Sequence, residues 1–189
     1  HIMRRRQRQM CIRDRYIFVV LLIISSCSGG SSNIIEEDNS GIPGDELNSI
    51  NETCTNTSRN GVDKCDLTHD DRNRFYYLYV SDNLDTNQSI PVLFAFHGYG
   101  SSALRHLGYT NYMPIADENN FIVVYPQGET TSTLSAHWNV GGWTSKSTVK
   151  DLEFVETVID LLKDKLPIDE SRIYSSGMSN GGYMGYHLA

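Results

Sequence analysis

Two continuous apolar runs constrain the fold of this chain most. Ile90-Pro91-Val92-Leu93-Phe94-Ala95-Phe96 and Phe121-Ile122-Val123-Val124-Tyr125 contain no charge and no alternation of apolar with polar residues. A strand wetted on one face alternates. A strand without alternation is covered on both faces, the usual state in a parallel sheet flanked by helices. Pro91 lacks an N–H and fits only at the start of its strand. Between the two runs, residues 112–119 read as a short helix. Downstream, residues 151–165 place Leu152, Val155, Val158, Ile159 and Leu162 at helical spacing, and Pro167 closes the segment. Residues 172–176 read as another strand, followed by a helix that opens at Gly182. Upstream, residues 74–80 are aromatic and β-rich, ended by Ser81-Asp82-Asn83. Strands alternating with helices imply an α/β fold with a mostly parallel sheet and helices on both faces.

The first residues belong to a different object. Arg4, Arg5, Arg6, Arg8, Arg13 and Arg15 precede the uncharged run Tyr16 to Ile24, and Ser25-Ser26-Cys27-Ser28-Gly29-Gly30 follows. A basic start, a short apolar run and small residues make residues 1–26 a secretory signal peptide. The run is far shorter than the roughly 20 residues that a membrane span requires. Met10-Cys11-Ile12-Arg13-Asp14-Arg15 resembles translated transposon-end sequence, so the stretch up to about Arg15 is either foreign or a native basic leader, and Cys11 carries no functional weight. Ile24-Ser25-Ser26-Cys27 resembles a bacterial lipobox. That resemblance implies lipidation of Cys27 and a membrane anchor, with ordinary secretion as the alternative.

The formal net charge of the whole chain is −7, from 16 Lys+Arg and 23 Asp+Glu. Removing the six arginines and Asp14 of residues 1–26 leaves 16 − 6 = 10 basic and 23 − 1 = 22 acidic residues, a net of −12. So acidic a chain lacks the basic face that phosphate binding needs, so no nucleic-acid partner is expected. Residues 27–70 read as a tether followed by a disulfide loop. Cys54 and Cys65 stand 11 apart in a polar stretch and, in an oxidising compartment, would pair. Closing a loop of that size contributes about 2–3 kcal/mol. The spacings of His and Cys match no metal site, and neither a metal nor a cofactor is expected.

The chemistry sits in residues 71–189, at two strand ends. Gly177-Met178-Ser179-Asn180-Gly181 is a G-x-S-x-G pentapeptide with an apolar strand before it and a helix after it. In that context it reads as the nucleophile elbow of an α/β hydrolase, the alternative being a Gly/Ser turn without chemistry. The turn is so tight that Gly177 and Gly181 leave room for it, and Ser179 stands at a helix N-terminus, which favours developing negative charge. The other site is His97-Gly98-Tyr99-Gly100, just after the buried strand. A loop there supplies one oxyanion amide in α/β hydrolases, and the residue after the nucleophile supplies the other. These are the Tyr99 amide, with Gly100 as the alternative, and the Asn180 amide; Gly98 and Gly100 let the backbone approach a substrate.

Several motifs extend this pattern: His97-Gly98-Tyr99-Gly100, Val124-Tyr125-Pro126-Gln127-Gly128, His137-Trp138-Asn139, Asp151-x-x-Phe154, Asp169-x-x-Arg172-Ile173-Tyr174 and Gly177-Met178-Ser179-Asn180-Gly181-Gly182-Tyr183-Met184. In this order they resemble the polyhydroxybutyrate depolymerase-like esterases and their relatives, the secreted feruloyl and acetylxylan esterases. The resemblance runs from Arg74 to Ala189. It implies an exported serine esterase with a Ser-Asp-His triad, Ser179 as nucleophile, and Tyr99 and Asn180 as oxyanion donors. The implied substrate is a polyhydroxyalkanoate, feruloyl or acetyl ester, polymeric or linked to plant polysaccharide. Two departures stand out: Lys150 replaces an acidic neighbour of Asp151, and the stretch before Trp138 lacks a cysteine found in some relatives.

His69, His106, His137 and His187 read as packing or surface residues, with His137 in a loop that could line the site. Trp138 and Trp143 either flank a substrate cleft or pack in the core. The triad order on this fold is Ser, acid, His. The expectation is therefore the first part of a longer domain, truncated after the elbow, with its acid and base beyond Ala189 and little activity of its own. The alternatives are a serine peptidase or thioesterase of the same fold, and a non-catalytic polysaccharide-binding surface lipoprotein. Localisation follows from the leader: periplasmic, cell-surface or extracellular.

Overall fold

A computed structural model describes residues 51–189, and these open with hairpins. The signal peptide, Cys11, Cys27 and the tether up to Ile50 lie outside the described residues. Strand β1 (Glu52–Asn56) pairs antiparallel with β2 (Val62–His69), and β2 with β3 (Arg72–Tyr79). The β2–β3 turn is just Asp70-Asp71, both left-handed at φ +51 and +58. That is the two-residue hairpin geometry which suits the twist of the strands, and Asp tolerates it better than most residues. Cys54 lies directly opposite Cys65, and the two form a disulfide. The sequence reading put a boundary at residue 70, between a disulfide loop and the catalytic domain. The ladder runs across that boundary, so residues 52–69 are part of the sheet. Their polar composition hid them, because β1 is largely exposed and few of its side chains pack in the core.

The remaining elements are β4 (Ile90–Phe96), α1 (Ala103–Thr110), α2 (Met113–Asn119), β5 (Ile122–Pro126), a 3₁₀ turn (Gly142–Thr144), α3 (Asp151–Lys163), β6 (Ile168–Gly177) and α4 (Asn180–His187). Among the described residues the strand order is β1-β2-β3-β5-β4-β6. β4 is parallel to both β5 and β6, whereas β3 meets β5 antiparallel. The parallel part expected from the apolar runs is thus confined to β5-β4-β6, and the sheet as a whole is mixed. Helix α1 escaped the sequence reading because it is short and interrupted by Gly108. Ser102 caps it by accepting from the Arg105 N–H (3.3 Å), and Asn111 ends it in the left-handed conformation.

Strand alternation assigns the two faces. Tyr77, Tyr79, Leu93, Ala95, Val123 and Tyr125 pack against α1 and α2. Arg74, Tyr76, Leu78, Phe94 and Phe96 point the other way, toward α3: the Arg74 guanidinium lies 3.9 Å above the Phe154 ring. Arg74 is fully buried there and ion-pairs with the equally buried Asp151 at 2.7 Å. No helix among the described residues is long and apolar enough to cross a membrane.

Candidate active site

Ser179 stands at the join of β6 and α4 with φ +53 and ψ −117. A positive φ at a residue other than glycine costs on the order of 1–3 kcal/mol and persists only where the surroundings impose it. Here they do. A Cβ on Gly177 would strike the backbone of Gly181 and Gly182, and one on Gly181 would strike the carbonyls of Phe96 and His97. Both glycines of the pentapeptide are therefore required by backbone lying against backbone. The turn is tied to the end of β4 through Met178 N–H to Phe96 O (3.3 Å), and closed by Gly181 N–H to Met178 O (2.9 Å). Ser179 is exposed and its side chain does not cap α4, which leaves the hydroxyl free at the positive end of that helix.

The loop after β4 packs against this turn. A Cβ on Gly98 would sit 3.3 Å from Met178 O and 3.8 Å from Ser179 Cβ. The Gly98 carbonyl accepts from Ser101 N–H (3.1 Å) and from His97 Nδ1–H (2.7 Å). His97 Nε2 accepts the Gly128 N–H at 2.9 Å, so the ring is neutral with its proton on Nδ1. Burial holds the His97 pKa below its ordinary value in agreement. With the Gly98 carbonyl held on the His97 side, the planar peptide directs the Tyr99 N–H the opposite way. Gly100, at φ +70, gives its own N–H to Ala136 O (2.8 Å). Of the two loop amides considered from sequence, Gly100 is thus engaged. The amides of Tyr99 and Asn180 meet no acceptor among the described residues.

Three further side chains frame the loop. Gln127 Oε1 accepts the first amide of α1, Ala103 N–H (2.9 Å), while its Nε2 donates to Gly128 O (2.9 Å) and lies 3.1 Å from His97 Nε2. Trp138 is fully buried against Phe96 and His97, with both ring centroids 5.1 Å away, and its indole N–H donates to His97 O at 2.8 Å. Asn180 is also fully buried. Its Oδ1 accepts Trp138 N–H (2.8 Å) and its Nδ2 donates to Trp138 O (3.1 Å). At the rim, Tyr99 and Trp143 are 43 % and 53 % exposed, with ring centroids 5.1 Å apart in an edge-on pair.

A model of the prolyl oligopeptidase family matches residues 108–189. The chain is 33 % identical over 114 residues to a bifunctional acetylxylan esterase/xylanase of Neocallimastix patriciarum (60 % of this chain, 15 % of the relative). It is 35 % identical over 115 residues to feruloyl esterase B of Thermothelomyces thermophilus (60 % of this chain, 38 % of the relative). Among solved structures, an S-formylglutathione hydrolase from Agrobacterium tumefaciens superposes with a TM-score of 0.54 at 15 % identity, covering 72 % of this chain and 55 % of the other. The chain has the α/β-hydrolase fold. It spans less than two fifths of the length of the two curated relatives.

Within this α/β-hydrolase fold the histidines sort by their partners. His137 is buried, with Nδ1 on Ser135 O (3.0 Å) and Nε2 on Ser147 Oγ (2.7 Å), so it braces its loop instead of facing a cleft. His106 is buried beside Tyr109 and Tyr125, and His69 leans on Phe154; burial lowers the pKa of both. His187 is eight residues beyond Ser179 on α4, a rise of about 12 Å. Of the two tryptophans, Trp138 is core and Trp143 is rim. Sequence reasoning missed Arg74, Gln127 and the Asn180 side chain as structural parts of the site. The quoted motifs contain the signal. Asp151-x-x-Phe154 supplies both groups that hold Arg74, and Asp151 Oδ2 also accepts Asn139 N–H (2.7 Å), next to Trp138. Lys150, the departure from the family pattern, pairs with Asp70 at 2.8 Å. Glu52, Cys54 and Cys65 bring three potential metal donors together, but the two sulfurs are bonded to each other, and Tyr76 and Lys165 occupy the carboxylate.

Proposed function

We propose that the protein carrying this chain is an exported serine esterase that cleaves carboxylic esters through an acyl-enzyme on Ser179. The observation that carries this reading is the meeting of an exposed, uncapped Ser179 hydroxyl with two unengaged amides, Tyr99 N–H and Asn180 N–H, at the N-terminus of α4. In the proposed reaction, Ser179 Oγ attacks the ester carbonyl and its proton passes to the general base. The two amides take the negative charge that develops on the carbonyl oxygen, and the alcohol leaves with the proton from the base. Water then repeats the sequence on the acyl-enzyme and releases the acid.

The triad order places acid and base after Ser179. Residues 180–189 contain no Asp or Glu, and their one histidine, His187, is too far along α4. In this reading residues 180–189 supply neither the acid nor the base. The names of the curated relatives support an acetyl or feruloyl ester of plant polysaccharide as substrate. The leader and the Cys54–Cys65 disulfide support export, and the lipobox-like segment supports an anchor on Cys27. The family match over residues 108–189 favours peptidase chemistry as the second reading, which an amide panel separates from the first.

The test is hydrolysis of p-nitrophenyl acetate and methyl ferulate by the full-length protein and its Ser179→Ala variant. Loss of about 10⁴-fold or more in kcat is expected, as when a serine nucleophile is removed elsewhere. Equal rates end the proposal.

A further inference from the structure

We infer that Trp138 is a positioning residue that holds the two proposed oxyanion donors in register; the inference rests on the esterase reading above. Tyr99 and Asn180 come from different elements, the loop after β4 and the first turn of α4, and neither amide bonds the other's element directly. Trp138 bonds both. Its backbone N–H and C=O are held by the Asn180 side chain at 2.8 and 3.1 Å, a two-point clamp that leaves the Asn180 backbone N–H free. Its indole N–H holds the His97 carbonyl at 2.8 Å. That carbonyl is one of the atoms against which Gly181 packs, and it leads directly into Gly98-Tyr99.

Trp138 is itself anchored from behind. The neighbouring Asn139 gives its N–H to Asp151 and its side-chain amide to Ser147 O (3.2 Å) and Val149 O (3.0 Å), and Asp151 is locked to Arg74. All the groups in this chain of contacts at Trp138, Asn180 and His97 are fully buried, so water offers no substitute for a lost bond. A small displacement of an oxyanion donor costs rate steeply, because such a donor acts only at its correct position. Trp138 touches neither the serine nor a substrate; its effect passes through Asn180 and His97.

The experiment uses the full-length protein with Trp138→Phe, which removes the indole N–H and keeps a ring against Phe96. Against p-nitrophenyl acetate, kcat is expected to fall about 10- to 100-fold with KM within about twofold, the signature of an interaction felt in the transition state. Independently of activity, hydrogen exchange at the Gly100 and Gly128 amides is expected to quicken about tenfold or more, with α3 and β3 amides unchanged. Unchanged exchange at those two amides overturns the inference. So does a uniform rise across the domain, which marks Trp138 as a mere core residue. Should Trp138→Phe fail to fold, Asn180→Ala, which leaves the indole in place, is expected to give the same selective pattern, and a uniform or absent effect there overturns it equally. If the parent's activity proves independent of Ser179, the esterase reading falls, and the exchange pattern still decides the role of Trp138.

Discussion

Strands β1 to β3 run antiparallel and are joined by short turns, whereas β5, β4 and β6 are linked through helices and β4 is parallel to both neighbours. The difference explains where the candidate site lies. Antiparallel neighbours send successive turns to opposite edges of the sheet. Parallel strands send every strand-to-helix loop to the same edge, so the loops after β4 (His97 to Gly100), β5 (Gln127-Gly128) and β6 (Met178 to Asn180) converge there. The hairpin end instead holds together through local pairing and the Cys54–Cys65 bond, and contributes to the site chiefly through Arg74.

Five measurements sharpen or break this contrast. Gly181→Ala should be the most damaging change, since its Cβ meets the immovable carbonyls of Phe96 and His97. A loss above about 4 kcal/mol, seen as insoluble protein or a collapsed melting transition, is expected. Asp151→Ala should cost about 3–5 kcal/mol in urea unfolding, because it strands the buried Arg74 guanidinium without its partner. A loss under about 1 kcal/mol would show that Glu129, 3.6 Å from Arg74 Nε, compensates. The double variant Cys54→Ala/Cys65→Ala should lose about 2–3 kcal/mol while leaving any Ser179-dependent rate intact. A large rate loss there would mean that the two ends of the sheet are coupled.

Acidification should act on both ends at once. His69, His97 and His106 all have pKa values lowered from 6.5 by burial, so the folded state binds fewer protons than the unfolded one. Their contribution to stability is complete above about pH 6.5 and is lost as the pH falls through and below that value, at most about 1.4 kcal/mol per pH unit for each imidazole. Thermal unfolding between pH 7.5 and 5 reads this directly, and a Tm independent of pH over that window would contradict the neutral His97 ring. Gly108→Ala should give the smallest effect and the opposite sign. Its Cβ would meet only Arg59 Nη2 at 3.9 Å, and α1 should gain about 0.5–1 kcal/mol.

How much was legible in the sequence follows the same division. The apolar runs located β4 and β5 to within a residue, because burial on both faces removes polar residues from a strand. G-x-S-x-G located the elbow, because backbone crowding at Gly177 and Gly181 excludes any side chain. The pair Cys54–Cys65 was legible from compartment and spacing. The strands that carry those cysteines were not, since β1 lies at an edge and its side chains are largely exposed. Arg74 read as the start of a strand, the usual place for a solvated arginine. Its burial depends on Asp151 and Phe154, 77 and 80 residues away. Trp138 could not be assigned between cleft and core, because that choice depends on which neighbours the folded loop meets.

The sequence by itself determined the elements whose cause is local: the buried strands, the helix of residues 151–163 and the glycines that the elbow demands. Tertiary structure alone decided which amide of the His97–Gly100 loop stays free. Gly100 N–H is taken by Ala136 O, and the Gly98 carbonyl is held by His97, whose ring depends in turn on Gly128. A hydrogen bond satisfied by a residue some 30 positions away leaves no trace in local pattern, so the choice between Tyr99 and Gly100 required the folded backbone.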